Sequence, residues 1–182
     1  MENLYLYIGI GILLIIFIWF IATFNKIKRL ANKIKESSSG IDVGLAKRYS
    51  VLTEMIGVVK GYVKHEEQTF VEITKLRSNM SIEEQEDAFN KMNENVKKIN
   101  LLVEAYPKLK AVDTFVTLQK SLVDVEEHLQ AARRLYNSNV TLYNNLIQTF
   151  PSLIIAKLMA ATEKPYFEAD ASEKENVNIK ID

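Results

Sequence analysis

Residues 115–147, FVTLQKSLVDVEEHLQAARRLYNSNVTLYNNLI, decide the fold class. Phe115, Leu118, Leu122, Val125, Leu129, Ala132, Tyr136, Val140, Tyr143 and Ile147 recur at steps of three and four. That spacing puts them on one side of an α-helix. The stripe continues for about five heptads, a coiled-coil-like seam suited to a left-handed bundle with crossing angles near 20°. It predicts a helix that starts near Asp113 and is roughly 50 Å long at about 1.5 Å per residue. One apolar stripe on a polar helix requires partner helices, and the neighbouring sequence supplies them.

Upstream, Leu45, Leu52, Met55 or Ile56, Val59, Tyr62 or Val63, Phe70 and Ile73 share a face of a helix expected from about Ile41 to Arg77. Gly57 and Gly61 lie four apart on it, a cost in helix propensity unless another helix packs close. Ser81 followed by Glu84 is the pattern of an N-cap with its capping box. The next helix runs to about Tyr106, with Phe89, Met92, Val96, Ile99 and Leu102 inward, and Pro107 ends it. Downstream, Pro151 suits the first turn of a short helix reaching about Ala161. From Thr162 the chain is polar and net acidic, the composition of a mobile tail. Every periodic segment is helical, so the expected fold is all-α: an elongated antiparallel helical bundle behind one N-terminal transmembrane helix.

That transmembrane segment is LYLYIGIGILLIIFIWFIATF, Leu4 to Phe24, 21 residues without a charge. At about 1.5 Å per residue it matches the roughly 30 Å of a bilayer's hydrocarbon. Tyr5 and Tyr7 near one end, and Trp19 and Phe20 near the other, suit the two interfaces. A cleaved signal peptide needs a basic start and a small-residue exit; Glu2 and Ala22-Thr23-Phe24 supply neither. Lys26, Lys28, Arg29, Lys33 and Lys35 follow before the first acid, Glu36. This basic collar predicts a cytoplasmic flank by the positive-inside rule, and contact with anionic headgroups of about 1 kcal/mol per charge. Ser37, Ser38, Ser39 and Gly40 are either a hinge or small residues in a continuous helix that passes close to a neighbour. The expected division is therefore an anchor at 1–25, a cytoplasmic bundle at 26–161 and a flexible tail at 162–182.

The 182 residues contain 23 Lys and Arg against 23 Asp and Glu, so no global field favours nucleic acid. With no cysteine, disulfides, thiolate nucleophiles and Cys-based zinc sites are excluded. A di-metal carboxylate centre needs Glu-x-x-His on two helices, but Tyr62 and Val125 precede His65 and His128 at that spacing. His65-Glu66-Glu67 has no second His for a zincin site, and His128 with Glu126 and Glu127 reads as a solvated face. No catalytic residue, metal or cofactor is expected. Asp42, Lys47, Arg48, Arg77, Glu126, Arg133, Asn137 and Asn144 are instead suited to interhelical pairs that fix register.

Two stretches together resemble a known family: IDVGLAKRYSVLTEMIGVVKGYVKHEEQTFVEITKLR (41–77) and AYPKLKAVDTFVTLQKSLVDVEEHLQAARRLYNSNVTLYNNLIQTFPSLIIAKLMAATEKPYFEA (105–169). Within them, Ile41-Asp42-Val43, Lys60-Gly61-Tyr62, His65-Glu66, Arg77, Tyr136-Asn137, Tyr143-Asn144 and Phe150-Pro151 are jointly similar to the signature of the LemA family. The chain departs from that pattern at Val51-Leu52-Thr53-Glu54-Met55, where the family has Leu-Ile-Pro-Asn-Leu, and at Lys47-Arg48, where it has two arginines. The first change leaves a smoother helix; the second weakens a bidentate contact. The resemblance implies an all-helical bacterial inner-membrane protein, amino terminus outside and domain in the cytoplasm, with no known catalysis. It also implies kinship with a magnetosome-formation protein associated with membrane invagination, and with members found alongside a membrane metalloprotease.

Three functions are consistent with these features. The first is a self-assembling scaffold that organises or remodels the membrane, with Gly40 and Gly44, and Gly57 and Gly61, as small faces for packing on copies of itself. The second is an adaptor for a membrane protease or signalling complex. The third is a ligand or metal sensor built on His65, Glu66 and Arg77.

Overall fold

The computed structural model describes residues 2–62, 70 and 80–168, with Glu2 and Tyr62 as backbone alone. The described elements are helical: α1 (Glu2–Tyr62), α2 (Ile82–Ala105), a short 3-10 helix (Pro107–Ala111), α3 (Asp113–Gln148) and α4 (Ser152–Leu158). The chain is an all-helical bundle with one apolar N-terminal helix. It divides into two compact units, residues 1–36 with 136–165, and residues 37–135 with the chain from Tyr166 onward.

α1 decides between the two alternatives at Ser37–Gly40, because the apolar segment and the helix expected from about Ile41 belong to one element. No proline falls within it, and Ser37–Gly40 continue the helix rather than hinge it. Their small size serves packing: Ser37 is buried, and a Cβ on Gly40 would lie 3.9 Å from that of Ala132. The expected extension from Val63 to Arg77 lies outside the described residues, except for Phe70, which is in no helix.

In the unit containing residues 37–135, Gly40 faces Ala132 and Gly44 faces Leu129, so α1 and α3 run antiparallel. Gln85 meets Ser38 and Asp42, whereas Asn93 meets Arg48, so α2 runs parallel to α1. The core combines Ile41, Leu45, Leu52, Met55 and Val59 of α1 with Phe89, Met92, Ile99 and Leu102 of α2 and Phe115, Leu118, Val125 and Leu129 of α3. Val96 and Leu122, expected inside, are half-buried. The capping box forms as expected: Ser81 Oγ accepts from the Glu84 amide at 3.2 Å, and the Ser81 amide donates to Glu84 Oε2 at 2.8 Å. At the same helix start, backbone hydrogen bonding holds the Glu83 carboxyl below the usual carboxylate range.

In the other unit, Asn139 Nδ2 donates to the Lys33 carbonyl at 3.4 Å, again pairing α1 with α3. Ser152 Oγ donates to the carbonyls of Leu146 and Thr149 at 2.7 and 3.0 Å, satisfying groups left open at the end of α3. α4 begins after Pro151 and ends three residues earlier than expected. The amides of Ala161 and Ala160 return to the carbonyls of Ala156 and Lys157 at 3.0 and 3.1 Å, and Ala160 is left-handed at φ 49°. This is a Schellman stop with alanine where glycine is usual.

Residues 162–168 are not the free tail that their polarity suggested. Asn144 Nδ2 and Oδ1 bond the carbonyl and amide of Lys164, both at 2.9 Å, and Tyr136 OH donates to the Pro165 carbonyl at 2.9 Å. Phe167 is buried, and the Glu168 amide donates to Glu86. Residues 169–182 of the expected tail lie outside the described residues.

Three substitutions test this packing by equilibrium unfolding of the full chain in detergent. Gly57→Ala, with nothing within 4 Å of the new methyl among the described residues, raises stability by about 1 kcal/mol through helix propensity. Gly44→Leu drives a side chain into Leu129, which already lies 2.9 Å from a Cβ position, and lowers stability by about 1–3 kcal/mol. Ala160→Gly relieves the left-handed alanine and gains up to about 1 kcal/mol.

Candidate functional site

The densest polar chemistry lies inside the unit formed by residues 37–135, where the periodicity of α1 forces a cation into the core. Leu45, Arg48 and Leu52 occupy successive turns of the buried stripe. Arg48 is therefore 2 % exposed, while its neighbour Lys47 points to solvent. An ion in such a place needs compensation. Arg48 Nη1 donates to the Phe89 carbonyl at 3.2 Å, and Nη2 donates to Asn93 Oδ1 at 2.6 Å and pairs with Glu126. One guanidinium thus engages α1's two neighbours, α2 and α3. Its carbon also lies 4.7 Å from the Phe89 ring centre.

Phe89 is shared. The Arg133 guanidinium lies 4.5 Å from its centre and 4.8 Å from that of Phe167. The two rings meet edge to face, 6.0 Å apart at 82°. Alternating cations and aromatic rings are mutually attractive, the more so when desolvated. Two turns before Arg48, Gln85 Nε2 donates to Asp42 Oδ1 at 2.7 Å and to Ser38 Oγ at 3.2 Å. The cluster joins α1, α2, α3 and the segment at Phe167 through polar contacts that only one register satisfies.

The structure brings together four of the residues singled out from sequence, Asp42, Arg48, Glu126 and Arg133. Tyr136, Tyr143 and Asn144 belong to the other unit: Tyr136 and Asn144 hold residues 164 and 165, and burial pushes the Tyr143 hydroxyl pKa up. Asn137 is half-buried, and its carbonyl accepts from Thr141 Oγ1 at 2.9 Å. Gly61 has nothing within 4 Å of its Cβ position among the described residues, and Pro151 is exposed at the turn before α4. His65, Glu66, Arg77 and the Tyr62 side chain lie outside the described residues. The collar residues Lys26, Lys28, Arg29, Lys33 and Lys35 are all exposed.

Sequence reading missed Gln85, Asn93 and Phe167. Gln85 had a signal: it sits one turn before Phe89 on the buried stripe, where a polar residue calls for a partner. Among the described residues no three His, Asp or Glu side chains lie together as a metal site would need.

The fold and cluster define a class: a helical bundle with a polar, register-setting core and an N-terminal helix long and apolar enough to cross a membrane. The profile of the LemA family matches residues 37–181, and the chain belongs to that family. It is 28% identical to Protein LemA of Metamycoplasma hominis over 159 residues, 85% of this chain and 73% of that one. A shorter stretch of 71 residues is 30% identical to Magnetosome protein MamQ 2 of Paramagnetospirillum magneticum, covering 39% of this chain and 26% of that protein. A similar match, 29% over 70 residues, is made with Magnetosome protein MamQ of Magnetospirillum gryphiswaldense.

Removing the buried cation is the direct test of the cluster. Arg48→Ala strands Glu126 and Asn93 and opens a cavity, costing about 3 kcal/mol or more in chemical unfolding. Glu126→Gln costs nearer about 1 kcal/mol, because its side chain is 35% exposed and part of the attraction is screened. Phe167→Ala accelerates hydrogen exchange at the Glu168 amide more than at amides in the middle of α2.

Proposed function

We propose that this LemA-family chain is a non-enzymatic scaffold, anchored in the bacterial cytoplasmic membrane, that assembles with copies of itself and organises or remodels that membrane. One observation carries the reading: α1 changes environment partway along its length. From Leu4 to Ile21 its large apolar side chains are exposed, whereas from Thr23 onward the same helix has a buried stripe. A core helix would be covered by its own chain, and this segment is not. Apolar surface on that scale is unfavourable in water and suits hydrocarbon.

The basic collar begins immediately after the apolar stretch, and its five cations are exposed. They suit anionic headgroups and favour a cytoplasmic bundle with the amino terminus outside. Arg48 and Arg133 are engaged within the chain, which favours a structural role for the cluster over substrate binding. The magnetosome relatives lend an analogy over the matched stretch. Gly44 is not available for self-packing, because Leu129 of α3 covers it, whereas Gly40 is exposed beside Ala132; Gly57 and Gly61 have nothing within 4 Å among the described residues.

Electron microscopy of cells expressing the full-length protein, and of particles purified in detergent, tests the proposal. The expected result is particles larger than a monomer, with altered membrane outlines in thin sections. Monodisperse monomers with unaltered membranes would overturn it. A sub-stoichiometric partner in crosslinked material, together with monomers, favours the protease-adaptor reading instead.

A further inference from the structure

The unit that holds the start of α1 has a second apolar surface. At the α3–α4 turn Phe150 is 81% exposed, and on the outward side of α4 Ile154 and Leu158 are 53% and 73% exposed. The opposite side of α4, through Ser152, Ile155 and Ala156, is buried within the unit. α4 is thus apolar on its outer side as well as its inner one. Clustered exposed side chains of this kind mark a contact surface.

The register of the unit fixes where that surface lies. Asn139 is level with Lys33 through its hydrogen bond, and α3 runs antiparallel to α1. Both helices rise by about 1.5 Å per residue, so going on from Asn139 to Gln148, the last residue of α3, matches going back from Lys33 to Phe24, and Phe150 follows two residues later. Burial agrees: Thr23 and Ile27 are 8% and 2% exposed, so the unit covers α1 to that level. Phe24 is where the apolar stretch ends, two residues before the first collar cation, Lys26. Lys157, exposed between Ile154 and Leu158 in sequence, adds a cation at the same end.

We propose that the α3–α4 turn is a second membrane contact, with Phe150, Ile154 and Leu158 inserting into the headgroup region of the bilayer beside α1. The inference rests on the reading of Leu4 to Phe24 as membrane-spanning. Three features single out a lipid surface as the occupant: the exposed apolar face of α1 in the same unit, the level of the membrane exit, and the exposed cations Lys26, Lys28, Arg29 and Lys157. Shallow burial of apolar side chains with lysines kept at the headgroups is the usual pattern of interfacial elements. Such a contact would hold the bundle against the leaflet at two places instead of one.

The chain has no cysteine, so single labels can be placed cleanly. Phe150→Cys, Ile154→Cys and Leu158→Cys, each carrying an environment-sensitive nitrobenzoxadiazole label, are reconstituted in vesicles of anionic and zwitterionic phospholipid. Trp19→Cys serves as the control for the anchor, and Val123→Cys, exposed in the other unit, as the control for water. The expected result is roughly twofold or greater quenching of the three turn labels by lipids with a nitroxide near the headgroup, with position 123 unaffected. Quenching at position 19 but not at 150, 154 or 158 overturns this proposal and leaves the anchor standing. No quenching at position 19 overturns both. Turn labels shielded from water but insensitive to lipid nitroxide also overturn it, since a second copy would then be the occupant.

Discussion

Everything described depends on α1 not stopping. Within hydrocarbon a backbone has no water to bond, so a crossing segment must be helical. Here the helix also persists after the apolar stretch ends, through the collar and the small residues Ser37–Gly40, to Tyr62. Its buried positions keep one phase, with Thr23, Ile27, Ile34, Ser37, Ile41, Leu45, Arg48, Leu52, Met55 and Val59 falling on a single stripe. A hinge would break that phase. The weak helix formers in the middle are held by tertiary contact: Gly44 meets Leu129 too closely for a larger side chain to fit without movement, and Gly40 lies against Ala132. Intrinsic propensity is a weak prior that such packing overrides.

The phase of that stripe also explains the cluster around Arg48. Carried along α1, the stripe puts a cation where an aliphatic residue would be cheaper. Burying an ion is compensated only by good geometry, and the gain lies more in specificity than in stability. Carbonyl, amide and carboxylate acceptors on two other helices, with a ring beside them, meet the need. A slip of α2 by one turn would leave the guanidinium without Asn93 and Gln85 without Asp42, each at the full cost of an unsatisfied buried group. The same ring, Phe89, is where Arg133 and Phe167 attach, so the C-terminal segment reports on the register of the helices beneath it.

Much of this was legible in the residues. The start of α3 at Asp113, the capping box at Ser81 and the apolar run from Leu4 are local signals, and local physics decides them. Arg48 rather than Lys47 as the buried member of the basic pair follows from the three- and four-residue steps linking Leu45, Arg48 and Leu52. The continuity through Ser37–Gly40 was not decidable locally, because the same small residues suit a hinge or a close helix contact; α3 chooses. The parallel run of α1 and α2 is fixed by contacts more than forty residues apart, Gln85 with Asp42 and Asn93 with Arg48. Residues 162–168 have a disordered composition and no period. They are held by single side chains, Asn144, Tyr136 and the Phe89–Arg133 pair, which no compositional rule registers.

Hydrogen exchange of the full-length protein in lipid nanodiscs, read across Thr23 to Leu52, addresses the continuity of α1 most directly. An unbroken helix predicts that the amides of Ser38 to Ile41 are protected to within roughly tenfold of those at Leu45 to Leu52. Exchange at Ser37–Gly40 as fast as in an unstructured chain, with protection on both sides, would contradict it. In that case the apolar segment and the bundle would be joined by a hinge.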